Sequence, residues 1–190
     1  VRISSSFVMR VIGFGGVGAV IVGLGAGAAL AQTPRADAKR VSAVRVPSGR
    51  ITMDGRFAEP EWNTAQPATN FVQQQPVEGA PVTREHRSEV RFLYDDDFLY
   101  IGATFFENET DHLVVNELRR DFNARAGDLF VIILDTFLDR RNAFLFLVNP
   151  HGAIRDEQVF NDSRTVVDAW EGIITARTSM TDSSWIAEIA

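Results

Sequence analysis

Ile51-Thr52-Met53-Asp54-Gly55-Arg56-Phe57-Ala58-Glu59-Pro60-Glu61-Trp62, taken together with Asp128 to Gly152, is the most specific pattern in this chain. No catalytic signature competes with it. There is no G-x-S-x-G, the strand-turn-helix setting of a serine nucleophile. His86, His112 and His151 are scattered, without the H-x-x-x-H spacing that puts two ligands on one zinc ion.

Outward from these segments the texture is that of strands. Glu89 to Tyr94 alternates, with Val90, Phe92 and Tyr94 on one face, and Asp95-Asp96-Asp97 interrupts it before Phe98 to Phe106 resumes. Two aromatic strands around a polar turn make a hairpin. Leu129 to Leu134 is apolar at every position, as in a strand covered on both faces. Ala143 to Val148 is a second apolar strand, Asn149-Pro150-His151-Gly152 a turn, and Ala153 to Phe160 a more polar strand. Trp170 to Thr178 and Ser184 to Ala190 read as a last pair around Thr181-Asp182-Ser183. Leu113 to Ala126 reads as a loop or a short helical turn. Short strands at close spacing, with turn residues between them and no long helical period, predict an all-β chain, an antiparallel sandwich or barrel. The chain stops in mid-strand at Trp185-Ile186-Ala187-Glu188-Ile189-Ala190. A terminal strand left unpaired would invite aggregation, so the chain is expected to be a fragment of a longer reading frame.

Bulk composition narrows the class. With 190 residues the chain holds one domain, and 45% hydrophobic residues suffice for a packed core. A net charge of −6 without any basic run argues against nucleic acid, since neutralising phosphates requires clustered Lys and Arg. The absence of cysteine excludes disulfides and thiolate metal sites.

The N-terminus predicts export. Arg2 and Arg10 precede an uncharged apolar run from Val11 to Leu30, closed by the small-x-small pattern Ala29-Leu30-Ala31. Residues 1–31 read as a secretory signal peptide, 32–45 as a linker and 46–190 as the domain. The alternative is a permanent membrane helix, for which the run is long enough. The glycines at 13, 15, 16, 18, 23, 25 and 27 weaken such a helix, and Ala-Leu-Ala fits removal. Gly13-Phe14-Gly15-Gly16-Val17-Gly18 matches a dinucleotide pattern, with Asp37 downstream, but lies inside the leader and lacks the strand-turn-helix setting that the pattern requires.

The motifs together resemble the family 9 carbohydrate-binding module and its relatives, which also begin large bacterial exported proteins carrying a C-terminal domain of unknown function. Asp54-Gly55, Glu59 and Trp62 fit the family's opening Asp-Gly-x-x-(Asp)-Glu-x-x-Trp, with Ala58 where an Asp is usual. Val90 to Phe105 fits its hairpin and Asp128 to Asp135 its Asp-x-(aliphatic)-Leu-Asp strand. Asp139-Arg140-Arg141-Asn142 and Phe146 to Gly152 look closest to the long exported relatives. Trp170 and Trp185-x-x-Glu188 match the closing strands, so the resemblance covers roughly Val46 to Ala190. It implies a jelly-roll-like β-sandwich that binds saccharide or glycan without covalent chemistry and serves carbohydrate catabolism. It also implies a place in the periplasm or at the outer membrane or cell surface of a Gram-negative bacterium, with a downstream outer-membrane β-barrel domain as a partner. The competing expectation is a structural N-terminal domain that docks on such a barrel without binding sugar. Sugar-binding members carry an exposed Trp where Arg125-Ala126-Gly127 stands here, and a polar residue where Leu147 stands.

Sugar sites combine flat aromatic faces with fixed polar groups. Of the tryptophans, Trp62 holds the family's core-anchoring position, and Trp185 alternates with Ala187 and Ile189 as a core residue does. Trp170, beside Asp168 and Glu171, is the best exposed candidate. The candidate ligand-binding set is Trp170, Asp168, Asn149 and Arg125. The acids Asp135, Asp139 and Asp156 are candidates for calcium, which takes several oxygen ligands; solvated turn acids and caps are the competing reading. A glycosidase pair at Asp128 and Asp135 is excluded by distance, because seven residues of strand span about 23 Å against the roughly 5–10 Å that paired carboxylates need.

Overall fold

The computed structural model describes residues 40–190 apart from 109, 116, 125 and 126. The expected signal peptide over 1–31 and most of the expected linker lie outside the described residues, as does Arg125. The alternating and apolar runs become two sheets. The first has five strands in the order β1 (Val44–Arg45), β2 (Ser88–Tyr94), β3 (Leu99–Phe106), β9 (Ser184–Ile189) and β8 (Ala176–Thr181). The second has four, in the order β4 (Phe130–Leu134), β5 (Ala143–Val148), β6 (Ile154–Phe160) and β7 (Thr165–Val167). All pairings are antiparallel except the short parallel contact of β1 with β2.

Strand alternation decides what lies between the sheets. Val90 and Phe92 of β2, Ile101, Ala103 and Phe105 of β3, and Trp185, Ala187 and Ile189 of β9 meet Phe130 and Ile132 of β4 and Val148 of β5 in one buried cluster. Trp185 stacks on Phe105 with ring centroids 4.3 Å apart, as the core assignment of that tryptophan requires. The apolar continuity of β4 and β5 has the expected cause: both faces are covered. Val131, Ile133, Leu145 and Leu147 point away from the sandwich centre and pack under Phe122 and Ala124 of the 113–129 segment. That segment is a cover rather than a strand, and Asp121 N–H donates to the Ile154 carbonyl on β6.

Two expectations change. Val44–Arg45, placed in the linker, pairs with Leu93 and Tyr94, so the last residues of that stretch belong to the sheet. Trp170 to Ile174 is not strand: β8 begins at Ala176, and Trp170 lies in the connection from β7. The short strand β7 has no sequence signal strong enough to mark it. The terminal strand β9 pairs with β8 as expected and lies inside the sheet, bonded to β3 on its other side. The aggregation argument therefore does not apply to it.

Candidate functional site

The opening motif builds scaffold. The 3-10 helix Pro60–Thr64 and the extended residues before it cross the outer face of the five-stranded sheet, burying Trp62, Val46 and Ile51 on Leu93 and Tyr100. Gly102 of β3 makes room for them. A Cβ there would fall 2.7 Å from the Trp62 ring and 2.8 Å from Phe57. Gly55 turns at φ +82 with its Cα against Thr178, so that a Cβ would meet the Thr178 backbone carbon at 2.9 Å.

Glu188, fully buried on β9, clamps this crossing: one carboxylate oxygen accepts the Asp54 and Gly55 N–H groups, both at 2.9 Å. Ser179 Oγ donates to the Gly55 carbonyl at 2.6 Å, and Glu59 Oε1 accepts Thr52 N–H at 2.9 Å. The other oxygens of Glu59 and Glu188, and the Trp62 indole N–H, are buried without a protein partner. Burial pushes the Glu188 carboxyl above its ordinary range, and the nearby Glu59 and Asp54 charges push the same way against the two backbone donors. At the adjoining hairpin, Asp95 accepts Asp97 and Phe98 N–H and the Tyr100 hydroxyl. The Asp97 amide leads in holding its carboxyl below the usual range, and burial first, then Asp95, pushes the Tyr100 phenol up to about 12. Asp-Gly, Glu59, Trp62 and Glu188 are thus one interlocked structural unit.

The four-stranded sheet is different. Along β5, inward-facing side chains pass from fully buried Val148 to partly buried Phe146 and then to Phe144, where the shared core runs out. Trp170 lies on these last two, 4.8 Å from Phe144 and 5.9 Å from Phe146 between centroids. Phe137, 64% exposed, extends the row 6.3 Å from Phe144. Polar groups border it. Gln158 is opposite Phe144 in the β5–β6 register, and Asp168 is exposed just before Trp170. The result is a half-exposed aromatic shelf with hydrogen-bonding groups at its margin, able to stack a flat apolar surface and bond its polar rim.

The structure does not gather the other candidates here. Asn149 is corrected from ligand-binding to structural: it is 3% exposed, its Oδ1 accepts His151 and Ala153 N–H, and its Nδ2 donates to the Glu117 carbonyl at 2.7 Å. Its side chain holds the β5–β6 turn and the covering segment. Asp135 and Asp139 share the β4–β5 turn, where Asp135 accepts Asp139 and Arg140 N–H and Asp139 accepts Arg141 and Asn142 N–H. Those donors, Arg141 N–H first, hold the Asp139 carboxyl below its usual range. Asp156 is instead buried in β6, bonded to Arg120 and to Gly172 N–H. Among the described residues no group of three or more His, Asp or Glu could hold a metal ion. The triad Asp135, Asp139 and Asp156 is corrected accordingly: two are turn caps and the third is an interior ion-pair partner. Leu147, where the resemblance implies a polar residue, is 8% exposed beneath Phe122. Phe137 and Phe144 are the residues that sequence reasoning missed. Phe144 carried the signal of an apolar strand, which does not tell a core end from an exposed end.

No family model matches the chain, and no curated protein matches it. Among solved structures, a carbohydrate binding module family 9 from Caldicellulosiruptor kristjanssonii in complex with cellotriose is similar. The TM-score is 0.50 at 16% identity, covering 78% of this chain and 66% of that one. At that identity the likeness establishes the fold: a two-sheet module of the kind the motifs predict.

Proposed function

We propose that this chain is a non-catalytic saccharide-binding module of an exported protein, with the Trp170–Phe144–Phe137 shelf as its platform. The observation that carries the reading is a tryptophan left only partly buried on a row of phenylalanines at the end of a sandwich whose other two tryptophans are buried. A pyranose presents an apolar face to such a ring and its hydroxyls to the polar margin. Gln158 and Asp168 supply that margin, and the rigid sheet beneath limits the entropy lost on binding. The fold it shares with a module that binds cellotriose supports the same class of ligand. Export through the 1–31 leader, a role in carbohydrate catabolism and a downstream outer-membrane barrel belong to this reading.

Titration calorimetry of the mature chain against a panel of β-linked and α-linked oligosaccharides, cellotriose first, tests it. Saturable binding abolished by Trp170→Ala is the expected result. A folded protein that binds none of the panel sinks the saccharide reading.

A second reading is favoured by one specific observation. Leu147, where the resemblance implies a polar sugar contact, is packed under Phe122 on the outer face of the four-stranded sheet. On that reading the module is a docking domain of an outer-membrane protein. Co-purification of this chain with its own downstream domain, expressed as a separate chain, would support it.

A further inference from the structure

Asp156 has no solvent exposure, yet it lies on the sheet face that carries the shelf, directly opposite Phe146 in the β5–β6 register. One carboxylate oxygen accepts from Arg120 Nη2 at 2.6 Å, and the other accepts the backbone N–H of Gly172. Gly172 in turn touches the shelf: a Cβ there would fall 2.8 Å from the outer carbon of the Trp170 ring and 2.9 Å from Phe146. Arg120 belongs to the segment that covers the opposite face of the same sheet, and its neighbour Asp121 is bonded to β6. A single buried carboxylate therefore joins the covering segment, the central strand and the connection that carries Trp170. A buried charge held by an ion pair and a charge-assisted amide bond is a stiff link, because breaking either bond leaves charge without compensation in the interior.

We infer that Asp156, bridging Arg120 to Gly172, is a positioning residue that sets the attitude of the Trp170 ring on the shelf and makes saccharide affinity depend on the 113–129 cover. This rests on the saccharide reading for its second half only. The first half concerns the ring itself. Trp62 and Trp185 are buried, so acrylamide quenching of tryptophan fluorescence reports Trp170, and Trp170→Phe provides the control that removes the quenchable component.

The experiment measures quenching, melting temperature and calorimetric affinity for cellotriose in Asp156→Ala, Asp156→Asn and Arg120→Gln. Quenching rises in Asp156→Ala toward that of free tryptophan. Asp156→Asn, which still offers an oxygen to Gly172 N–H, restores part of the protection. Arg120→Gln, which keeps Asp156 and loses the ion pair, gives an intermediate rise. Affinity falls on the order of tenfold in Asp156→Ala and less in the other two. If Asp156→Ala does not fold, the other two variants decide. Quenching unchanged from the wild type in the variants that fold overturns the inference, whatever happens to the melting temperature. Altered quenching in a protein that binds no saccharide upholds the positioning role and refutes the saccharide reading instead.

Discussion

The two sheets treat their tryptophans in opposite ways. On the five-stranded sheet Trp62 is 1% exposed under a crossing that is itself clamped from below by Glu188. On the four-stranded sheet Trp170 rests partly buried on Phe144 and Phe146, in a connection tethered through Asp156. The first arrangement removes a large aromatic from water and contributes stability. The second leaves an aromatic ring only partly covered, and the uncovered part gives a ligand something to cover. The motif that is easiest to recognise in the sequence therefore marks scaffold, and the less distinctive connection after β7 carries the candidate site.

The comparison breaks most easily by truncating both rings. Trp62→Ala is expected to cost about 3–5 kcal/mol of folding stability. Trp170→Ala is expected to cost about 1 kcal/mol while abolishing saccharide binding. Urea melts of both variants check the contrast, and equal losses would mean that the shelf is core. Gly102→Ala sharpens the same point from the other side of the crossing. A methyl group 2.7 Å from Trp62 must displace aromatic rings, an overpacking cost of about 1–3 kcal/mol, while saccharide affinity stays as in the wild type.

A smaller effect separates the sheets by pH. The folded Glu188 carboxyl is pushed above its ordinary value of 4.5. The folded state therefore binds its proton more tightly than the unfolded chain does. That contribution is complete below the unfolded value and is lost as pH rises through the raised folded value. Glu188→Gln keeps an acceptor for the Asp54 and Gly55 amides and cannot ionise. Thermal melts from pH 4 upward should show the variant gaining on the wild type as pH increases, with Glu59 and Asp54 the acids that face Glu188 and cross-strand Arg177 its basic neighbour. A constant difference across pH would remove Glu188 from the titration. The smallest effect is reserved for calcium. Asp135 and Asp139 already accept backbone N–H groups in their turn, so millimolar calcium against chelator should leave the melting temperature unchanged. A clear rise would reveal a site by linkage.

Much of the fold was legible along the chain. Alternation in Val90 and Phe92, and in Trp185, Ala187 and Ile189, determined which side chains meet between the sheets. The uninterrupted apolar run at Phe130–Leu134 required cover on both faces, and the Asp95 and Asn149 turns marked the strand ends. Trp170 could be set apart from the two core tryptophans because polar residues flank it in the sequence. These are local properties, set by period-two geometry and by the solvation of neighbouring side chains. What tertiary structure alone decided is which strands lie beside one another and what covers each face. Ser184–Ile189 became an interior strand, Glu188 a buried clamp 134 residues from the Asp54 amide it holds, and Asn149 a turn lock. Phe122 came to cover Leu147, and Asp156 became a tether instead of a metal ligand. The physical reason is the same in each case: a polar or aromatic side chain takes its role from the partner that satisfies or covers it, and those partners are brought together only when the two sheets close.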